Sequence, residues 1–581
     1  MELISNHKLE SAGLHVPGNT IIRKALFSYL KVDKMNHLCD QDMLAHSGVE
    51  FIEEVFQKLN IHFEIPDGDL KHLPVTGPYI IMANHPFGFL DGLVMLNVMA
   101  QINPDFRVLA NFFLKQFGPI SPFFIELNPF ASKNKQNMRG MKEAYTHLKQ
   151  GFPLGIFPAG EVATMQKGLG KIEDKVWDPG AVKFMVNANV PIIPMYFYGS
   201  NSLKFHLLGK IHPYLRTLSI PSEFFKKENQ TIRLRIGKPI LPGELSDFNN
   251  YDRAGRYLRT CLYALGSKVD VKKFFRVNLH KSKQPETIID PIPAEDIKRE
   301  LEKLKAKDGL LLTKSSFEVY LGQAPQIPQI LRELGRLREV TFRQVGEGTN
   351  KKMDVDEYDL YYQHLFVWDK KEDRIIGAYR LGQGDQIIER YSKRGFYVTS
   401  LFDLDDQMVP ILNRTLELGR SFVTKEFQQK PLPLFLLWQG ILAFLSKNSH
   451  YRYLMGPVSI SNDFTRFSKD VLIAFIKKHY YNAEMASMVY PRKEFKVKTN
   501  SDDIDVVLER HANDLRKLDQ FISGIEPGYL KIPVLLKQYI KQNARIIGFN
   551  VDPKFNNCLD GLMIADIKEM PEGTFDFLYR T

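Results

Sequence analysis

Four short apolar runs, separated by stretches of helical periodicity, most constrain what the first half of this chain can fold into. The runs are GPYIIMAN (77–84), FRVLAN (106–111), FPLGIFPAG (152–160) and VPIIPMYFYG (190–199). They are nearly continuous rather than alternating in polarity, which is typical of strands buried on both faces. Helical spacing lies between them, from Met138 to Leu148 and from Pro179 to Asn187. This alternation predicts an α/β domain built around a mostly parallel sheet.

A connector divides the 581 residues, a length that is too great for one ordinary domain. Residues 281–296 combine lysines and prolines without any periodicity, as an exposed linker does. Ile297, Leu301 and Leu304 then recur at helical spacing and predict a short amphipathic helix. We therefore predict a first domain over 1–285, a linker with a short helix over 286–309, and a second domain over 310–581.

The second domain is also predicted to mix strands and helices. HLFVWD (364–369) and RIIGAYRL (374–381) predict a hairpin closed by the polar turn between them. RTLELGRSFV (414–423) predicts a further strand, and the apolar run from Leu434 to Leu445 predicts a helix. The apolar segment from Pro431 to Leu445 is shorter than the about 20 residues that span a bilayer, so we expect a buried or interfacial helix.

The net charge and the cysteine content indicate what kind of partner the chain binds and which cellular compartment it suits. The net charge is +11, and residues 1–290 hold 35 basic against 27 acidic side chains. A basic first half suits an anionic membrane surface or an acidic partner protein, and no nucleic-acid-binding motif accompanies it. The three cysteines (Cys39, Cys261 and Cys558) lie far apart, which fits a reducing cytoplasm and predicts no metal site.

A basic amphipathic segment near the start is a candidate membrane contact. Residues 21–38, IIRKALFSYLKVDKMNHL, place Arg23, Lys24, Lys31 and Lys34 among apolar side chains. Such a segment lies on a membrane surface or packs on the sheet, because amphipathicity is the ordinary state of surface helices. The sequence leaves both alternatives open.

The sharpest local motif follows the first predicted strand and reads Asn84-His85-Pro86-Phe87-Gly88-Phe89-Leu90-Asp91. A His and an Asp six positions apart would lie about 240° apart on a continuous helix. They can meet only where the chain turns, and Pro86 and Gly88 provide that break. The pair would then serve as a general base, with the carboxylate fixing the imidazole tautomer. The alternative is a capping Asn and a structural His in a βα turn.

Two later blocks extend this motif. Phe157-Pro158-Ala159-Gly160-Glu161 follows one predicted strand, and Val190-Pro191-Ile192-Ile193-Pro194 begins the next. In this order and spacing the three blocks resemble the glycerolipid acyltransferase family over residues 70–245. The resemblance implies that His85 and Asp91 act on an acceptor hydroxyl, with an acyl thioester as donor. It also implies that Asn84, Phe157, Pro158, Gly160 and Glu161 bind the acceptor.

The motif departs from the family pattern in two places. Five residues separate the His from the Asp where the family usually has four, as in its hemolysin-like branch. Leu127 stands where the family has a phosphate-binding arginine after a Phe-Ile-acidic strand. A phosphate-bearing acceptor is therefore not expected, unless Lys133, Lys135 or Arg139 compensates.

The second half carries a set of arginines and acids: Arg338-x3-Phe342, Asp356-x2-Asp359, Arg380 and Glu417-x2-Arg420-Ser421. Together they resemble the acyl-homoserine-lactone synthase and ornithine N-acyltransferase branch of the GNAT superfamily, over residues 310–581. Glu417 is the predicted acceptor of the amine proton. Arg338, Phe342, Asp356, Asp359, Arg380, Arg420 and Ser421 are predicted to bind substrate. The plainer alternative is a buried structural Glu–Arg pair.

The absence of a glycine-containing loop in the second half bears on the identity of the acyl donor. Coenzyme-A-dependent GNAT enzymes carry a glycine-containing loop whose backbone amides hold the pyrophosphate at a helix N-terminus. After Val423 this chain reads TKEFQQKPLPLF, without a glycine. We therefore expect an acyl carrier protein thioester, ahead of a coenzyme A thioester, as co-substrate and no bound cofactor.

The fusion of the two predicted domains resembles the bifunctional ornithine-lipid synthases of bacteria. That resemblance implies N-acylation of a small amino acid with a 3-hydroxyacyl chain, followed by O-acylation of the 3-hydroxyl. It also implies a cytoplasmic enzyme that is peripheral on the inner face of the membrane. The alternative is a lysophospholipid O-acyltransferase whose GNAT-like half is a docking module or serves another acyl transfer.

Overall fold

The computed structural model divides the chain into two compact units. It describes residues 48–111, 118–127, 135–165, 172–211, 216, 219–248, 250–267, 285–345, 347–528, 530–553 and 555–576, together with Lys31, Lys34 and Leu38. The first unit comprises Met1–Ser267, Asn500–Ala512 and Gln520–Leu530, and the second comprises the remainder. Two short segments of the later sequence thus cluster with the first unit.

The first unit alternates helices and strands. Its helices are α1 (Val49–Lys58), α2 (Asp67–Leu70), α3 (Phe89–Ala100), α4 (Lys135–Lys149), α5 (Pro179–Asn187), α6 (Leu203–Ile211), α7 (Ile220–Phe225), α8 (Pro242–Leu245) and α9 (Tyr251–Ala264). Its strands are β1 (His62–Glu64), β2 (Ile80–Ala83), β3 (Arg107–Asn111), β4 (Phe124–Leu127), β5 (Leu154–Ile156), β6 (Thr164–Met165), β7 (Ile172–Glu173), β8 (Ile192–Phe197) and β9 (Thr231–Ile236).

Seven of these strands form one sheet in the order β1-β9-β8-β2-β5-β3-β4. All neighbouring strands are parallel except β8 and β9. The four predicted strands are confirmed as β2, β3, β5 and β8, and the two predicted helices as α4 and α5. The central strand β2 is fully buried along its length, as its apolar run predicts. The predicted α/β architecture of this half is confirmed.

The second unit has more strands than helices. Two helices of the later sequence, α17 (Ser501–His511) and most of α18 (Leu515–Ile525), belong with the first unit. The helices of the second unit are α10 (Ala294–Lys305), α11 (Pro328–Gln344), α12 (Gly384–Tyr391), α13 (Val409–Leu412), α14 (Pro431–Lys447), α15 (Arg466–His479), α16 (Ala483–Ala486) and α19 (Val534–Lys541). Its strands are β10 (Leu310–Lys314), β11 (Phe317–Gln323), β12 (Gln363–Asp369), β13 (Arg374–Gln383), β14 (Phe402–Leu404), β15 (Thr415–Val423), β16 (Tyr453–Ile460), β17 (Val489–Pro491), β18 (Arg545–Asp552) and β19 (Cys558–Asp566).

Eight of these strands form a mostly antiparallel sheet in the order β10-β11-β12-β13-β15-β16-β19-β18. The predicted hairpin is confirmed as β12 and β13, which pair in antiparallel register from Asp369 and Arg374 onward. Strands β15 and β16 are the parallel exception, and they pair only from Thr415 to Glu417. Beyond Glu417 the two strands continue without pairing, so the sheet opens at that point.

Apolar side chains cover both faces of this second sheet. Ile297, Leu301 and Leu304 of α10 are each no more than 3% exposed and pack with Phe366 and Trp368 on one face. The predicted amphipathic helix is thereby confirmed. The predicted apolar helix is α14, most of whose side chains are buried. Among the residues that the structure describes, we find no helix that combines the length and apolarity needed to cross a bilayer.

The basic segment at 21–38 lies largely outside the described residues. Two of its lysines are described: Lys31 is exposed, and Lys34 Nζ lies 2.8 Å from Glu228 Oε2 and 4.7 Å from the centre of the Phe225 ring. Lys34 is therefore engaged with the first unit, which is the packing alternative for that position. The connector residues 281–284 also lie outside the described residues.

Candidate active sites

His85 and Asp91 meet at the turn between β2 and α3. His85 Nδ1 lies 3.0 Å from Asp91 Oδ2, as a close charge contact rather than a well-aligned hydrogen bond. The same oxygen accepts the backbone N–H groups of Phe87 and Gly88, each at 2.9 Å. Gly88 adopts φ +90°, a backbone conformation that residues other than glycine rarely adopt. The turn thus brings the predicted pair together.

The exposure of the two side chains suits a general base. Asp91 is fully buried, while the His85 side chain is 18% exposed. Because Nδ1 faces the carboxylate, Nε2 on the opposite side of the ring is the atom that can take a proton. Active-site hydrogen bonds are often imperfectly aligned before substrate binds, so the geometry fits the role.

A second carboxylate, which no sequence pattern indicates, holds the His85 backbone. Asp174 Oδ1 accepts the His85 N–H at 3.1 Å, and the His85 carbonyl accepts the Ala163 N–H at 2.8 Å. Asp174 is 1% exposed, and burial raises the pKa of its carboxyl although His85 and Arg259 act to lower it. Asp174 comes 89 residues after His85, and no local pattern marks it.

The Phe157–Glu161 block lies against this turn. The Phe157 ring stacks on the His85 imidazole with centroids 4.2 Å apart at 31°. Pro158 is buried, and Gly160 closes the turn at φ +66° by donating its N–H to the Phe157 carbonyl. Of the predicted acceptor-binding residues in this block, Phe157 is the one in contact with His85.

Glu161 is held between two cations. Its Oε1 lies 2.7 Å from Lys175 Nζ, and its Oε2 lies 2.5 Å from an Arg216 guanidinium nitrogen. Partial burial would raise the pKa of this carboxyl, but the hydrogen bonds to Lys175 and Arg216 outweigh that effect and lower it. Glu161 therefore stays ionised and fixes both cations beside the block.

Asn84 has a structural role in place of the predicted substrate contact. Its amide donates to the Phe197 carbonyl at 3.0 Å and accepts the Phe197 N–H at 2.7 Å. Both polar ends of this 5% exposed side chain are thus used to tie the end of β2 to the end of β8. Arg139, one of the basic residues that could replace the missing arginine, lines a separate surface cleft of about 410 Å³ with Arg107 and Lys142. Lys133 and the side chain of Lys135 lie outside the described residues.

In the second unit, a bulge in β15 aims Arg420 at the opening of the sheet. Ala378 pairs with Phe422 and Arg380 with Gly419, so Arg420 and Ser421 both lie opposite Tyr379. Arg420 adopts φ +48°, a left-handed conformation that is strained for a long side chain. Such bulges redirect side chains and are common beside functional sites.

Arginines and aspartates form one network here. Arg338 and Asp359 are 2.7 Å apart, Arg380 contacts Asp356 at 2.5 Å and Asp359 at 3.3 Å, and Arg420 contacts Asp354 at 3.1 Å and Asp356 at 3.2 Å. Three guanidinium groups thus face three carboxylates. Asp354 was not predicted, although its place two residues before Asp356 is a signal that could have identified it.

The network explains which predicted residues can reach substrate. The side chains of Arg338, Asp359 and Arg380 are fully buried and support the site from within, while their role in substrate binding stays a prediction. Arg420, with an 11% exposed side chain, and Asp356, with a 23% exposed one, are the members that reach its surface.

Aromatic rings and a histidine complete the buried part of the network. The Arg380 guanidinium lies 5.2–5.5 Å from the ring centres of Tyr358, Tyr362 and Tyr397. Such cation–π contacts stabilise a charge that has left water. Burial lowers the pKa of His364 to about 4 with the help of Arg338, so this imidazole is neutral beside the pair.

Glu417 is buried and fully engaged. Its carboxylate accepts the Tyr362 hydroxyl, the Tyr397 N–H at 3.1 Å and the Val398 N–H at 2.8 Å. Burial raises the pKa of this carboxyl to about 7, although these three donors act to lower it. Its pKa therefore suits proton transfer, while its 1% exposure and three donors give it a clear structural task at the turn over Tyr397–Ser400.

Two predicted residues lie away from the network. Phe342 is partly buried and packs against the apolar cluster that includes Ile330 and Leu334, and its substrate contact stays a prediction. Ser421 lies beside the Tyr379 hydroxyl, which in turn contacts the Tyr539 hydroxyl at 2.9 Å. The Arg420 side chain therefore contacts the aspartates of the network, whereas the neighbouring Ser421 side chain contacts Tyr379.

Comparisons with known proteins agree with the two units. Residues 4–272 match the family model described as acyltransferase, and residues 337–439 match the model described as acetyltransferase (GNAT) domain. The chain is 30% identical over 298 residues to a glycine N(alpha)-acyltransferase from Bacteroides thetaiotaomicron, covering 48% of this chain and 86% of that relative. It is 27% identical over 234 residues to a lyso-glycine lipid O-acyltransferase from Phocaeicola vulgatus, covering 38% and 80%.

Proposed function

We propose a two-step reaction for this chain. The chain belongs to the acyltransferases, and it is an enzyme that transfers acyl groups, with an acyltransferase domain followed by a GNAT domain. The second unit N-acylates a small amino acid with a 3-hydroxyacyl chain. The first unit then esterifies the 3-hydroxyl of that product with a second acyl chain. The observation that carries this proposal is the presence, in one chain, of a His–Asp pair and a GNAT-like charge network.

Glycine is the amino acid that we propose. Ornithine is what the sequence motifs resemble, but one relative is named for N-acylation of glycine and another for O-acylation of a lyso-glycine lipid. Both names concern glycine, and this chain is similar to both proteins. A product of this kind has no phosphate, which agrees with Leu127 in the place of a phosphate-binding arginine.

In the ester-forming step, His85 Nε2 takes the proton of the acceptor hydroxyl as its oxygen attacks the thioester carbonyl. Asp91 keeps the imidazole in the required tautomer and stabilises its protonated form, as the 3.0 Å contact permits. The proton then leaves with the departing thiol. The backbone contacts of Asp174 and Ala163 hold His85 in position for this transfer.

We propose an acyl carrier protein as the thioester donor. The segment that follows β15 contains Lys425 and Lys430 and no glycine before α14 begins at Pro431. A carrier protein presents its acyl chain without a nucleotide pyrophosphate, and its acidic surface would be attracted to a chain of net charge +11. Turnover on carrier-protein thioesters should exceed turnover on coenzyme A thioesters and should fall with added salt.

The enzyme is proposed to act in the cytoplasm at the inner face of the membrane, where its lipid product resides. Exposed lysines and arginines each contribute about 1 kcal/mol near an anionic surface. Flotation with anionic vesicles tests this attachment, which high salt should release. Charge reversal at Lys24 and Lys31 should reduce flotation, and unchanged flotation would place the membrane contact elsewhere.

Lipid mass spectrometry tests the whole proposal. A bacterial host that makes no aminolipids would express the full chain in medium with isotope-labelled glycine or isotope-labelled ornithine. We expect a new phosphorus-free lipid with one amide and one ester, labelled from glycine. A label from ornithine would change the amino acid and leave the two steps intact. Acylated lysophospholipid in place of an aminolipid would overturn the proposal in favour of a lysophospholipid acyltransferase.

A further inference from the structure

Glu161 of the first unit holds two cations that have no task in the proposed ester-forming step. Lys175 Nζ lies 2.7 Å from Glu161 Oε1, and an Arg216 guanidinium nitrogen lies 2.5 Å from Glu161 Oε2. Two positive charges thus share one negative charge, and the three side chains together keep an excess of one positive charge. An excess of this sign attracts an anionic ligand.

The cations lie beside His85, because the segments that position them contact its backbone. Lys175 directly follows Asp174, whose Oδ1 accepts the His85 N–H at 3.1 Å. Glu161 comes two residues before Ala163, whose N–H donates to the His85 carbonyl at 2.8 Å. The cation cluster is therefore tied to the proposed base through two backbone hydrogen bonds.

The segment that carries Arg216 reaches the turn of the His–Asp motif as well. A Cβ on Gly88 would lie 3.1 Å from Val162 Cγ2 and 3.3 Å from Ile220 Cγ2. Val162 is the neighbour of Glu161, and Ile220 begins α7, four residues after Arg216. The segments of both partners of this ion pair therefore border the turn.

Arg216 is buried and keeps hydrogen-bond donors to spare. Its side chain is 9% exposed, and it packs on α6 where a Cβ at Gly209 would lie only 2.9 Å from its Cδ. A guanidinium has five N–H donors. Among the described side chains, Glu161 is the one that accepts a hydrogen bond from Arg216. Lys175, with a 49% exposed side chain, provides a more accessible charge on the other side of Glu161.

A buried histidine lies beside Arg216. His206 precedes Gly209 by three residues on α6, so it shares the helix face on which the Arg216 side chain packs. It is 3% exposed, and neither ring nitrogen makes a well-aligned hydrogen bond to a described residue. Burial lowers the pKa of this imidazole, although the Asn201 backbone acts to raise it, and the Arg216 charge lowers it further. A neutral ring buried in this way costs free energy unless a ligand completes its hydrogen bonds.

The acceptor of the proposed ester-forming step carries an anion close to its reacting group. In an N-(3-hydroxyacyl) amino acid, only a few bonds separate the carboxylate from the 3-hydroxyl that reacts. A site for the carboxylate must therefore lie beside the group that takes the hydroxyl proton. A guanidinium matches the planar carboxylate with two parallel hydrogen bonds, which suits Arg216 to this task.

We propose that Arg216 and Lys175 bind the carboxylate of the acylated amino acid, with His206 as a further hydrogen-bond donor. The inference rests on the proposed O-acylation by the first unit. Glu161 orients the two cations and limits their excess charge to one, which matches a carboxylate better than the higher charge of a phosphate monoester. Because the carboxylate is the group that is recognised, the inference applies equally to glycine and to ornithine conjugates.

Two matched acceptors test this assignment in the full-length enzyme. N-(3-hydroxyacyl)glycine and N-(3-hydroxyacyl)glycinamide share the acyl chain and the hydroxyl, but only the first has a carboxylate. Ester formation on each is measured with the same acyl thioester. We expect wild type to have a kcat/KM for the acid at least about 10-fold above that for the amide. Arg216→Gln should lower kcat/KM for the acid about 10- to 100-fold, the size typical of a hydrogen bond to a charged group, and change that for the amide less than about threefold.

Two further substitutions vary the charge at the cluster. Arg216→Lys keeps the ion pair with Glu161 but loses the planar fork, so it should recover part of the preference for the acid. Lys175→Gln should lower kcat/KM for the acid about threefold to tenfold, because a half-exposed ammonium contributes less than a buried guanidinium.

A third substitution and a control separate ligand binding from folding. His206→Leu should lower kcat/KM for the acid about threefold and leave Tm no lower than wild type, since it removes a buried polar ring without well-aligned partners. Arg233→Gln breaks the exposed pair with Glu64 in the same unit and should leave both acceptors unaffected.

Four results would overturn the inference. Wild-type kcat/KM for the acid in Arg216→Gln would show that no carboxylate reaches this guanidinium. Equal losses for acid and amide would assign Arg216 to the fold of the first unit. A wild-type enzyme that prefers lysophosphatidate to the acylglycine would assign the cations to a phosphate. A wild-type enzyme that esterifies none of the three acceptors would overturn the proposed O-acylation itself, and the carboxylate site with it.

Discussion

The two candidate sites are built in opposite ways. In the first unit, His85 and Asp91 lie six residues apart and meet through one turn, with Nδ1 and Oδ2 3.0 Å apart. In the second unit, the network draws Arg338 from α11, Asp359 from the segment before β12, Arg380 from β13 and Arg420 from β15. A site made within one turn depends on local conformation, whereas a site made from several elements depends on the fold around it.

The two sites also differ in how far their side chains are buried. His85 of the first unit is partly exposed, but the central ion pairs of the second unit are closed to solvent. A change in the first site should therefore affect chemistry before stability. A change at the centre of the second should affect stability before chemistry.

The largest expected effect is on chemistry in the first unit. His85→Ala should lower ester formation 10²- to about 10⁴-fold, because it removes the general base, and should leave amide formation intact. The singly acylated aminolipid should then accumulate in the host, as measured by lipid mass spectrometry. Wild-type amounts of the doubly acylated lipid would show that His85 is not the base.

The next effect is on the stability of the second unit. Arg338→Leu removes the nearer of the two fully buried arginines that contact Asp359 and should cost up to about 3–5 kcal/mol. Arg233→Leu is the matched control, because Arg233 and Glu64 are mostly exposed at 3.0 Å and should contribute less than about 1 kcal/mol. Denaturant unfolding measures both. Similar costs for the two variants would mean that the network is not closed to water.

A pH dependence should distinguish the carboxyl groups of the second unit. The pKa of Glu417 is raised to about 7, so the folded state holds a proton that the unfolded state has lost between pH 4.5 and 7. Stability therefore falls as pH rises through this window, by on the order of 3 kcal/mol for this group. Glu417→Gln should reduce the fall in the urea midpoint between pH 5 and pH 8. An unchanged pH slope in the variant would contradict the raised pKa.

The smallest effect concerns the link between two strands of the first unit. Asn84→Ala leaves the Phe197 N–H and carbonyl without partners and should cost about 1–3 kcal/mol. Ester formation should decline with it, since His85 follows directly, while amide formation should not. Asn103→Ala, which loses one exposed contact to the Asp105 N–H, serves as the control. Normal stability of Asn84→Ala would contradict the structural role of this amide.

The elements that were predicted best are those with an uninterrupted apolar pattern. Strands β2, β3, β5 and β8 and the β12–β13 hairpin lie within four residues of their predicted bounds. The surroundings of residues with distant partners could not be predicted. The sequence gives no indication that Phe197 engages the Asn84 amide or that Phe342 packs, partly buried, against an apolar cluster.

The sequence by itself determined the α/β class, the two-part organisation and the His85–Asp91 turn, because these follow from periodicity and from a break within seven residues. Only the tertiary structure decided that Asp174 supports His85 and that Arg338 and Arg380 are enclosed. The physical reason is that burial and charge pairing are set by residues far apart in the chain. The residue type of an Asp or Glu does not tell how many hydrogen-bond donors surround its carboxylate in the folded protein.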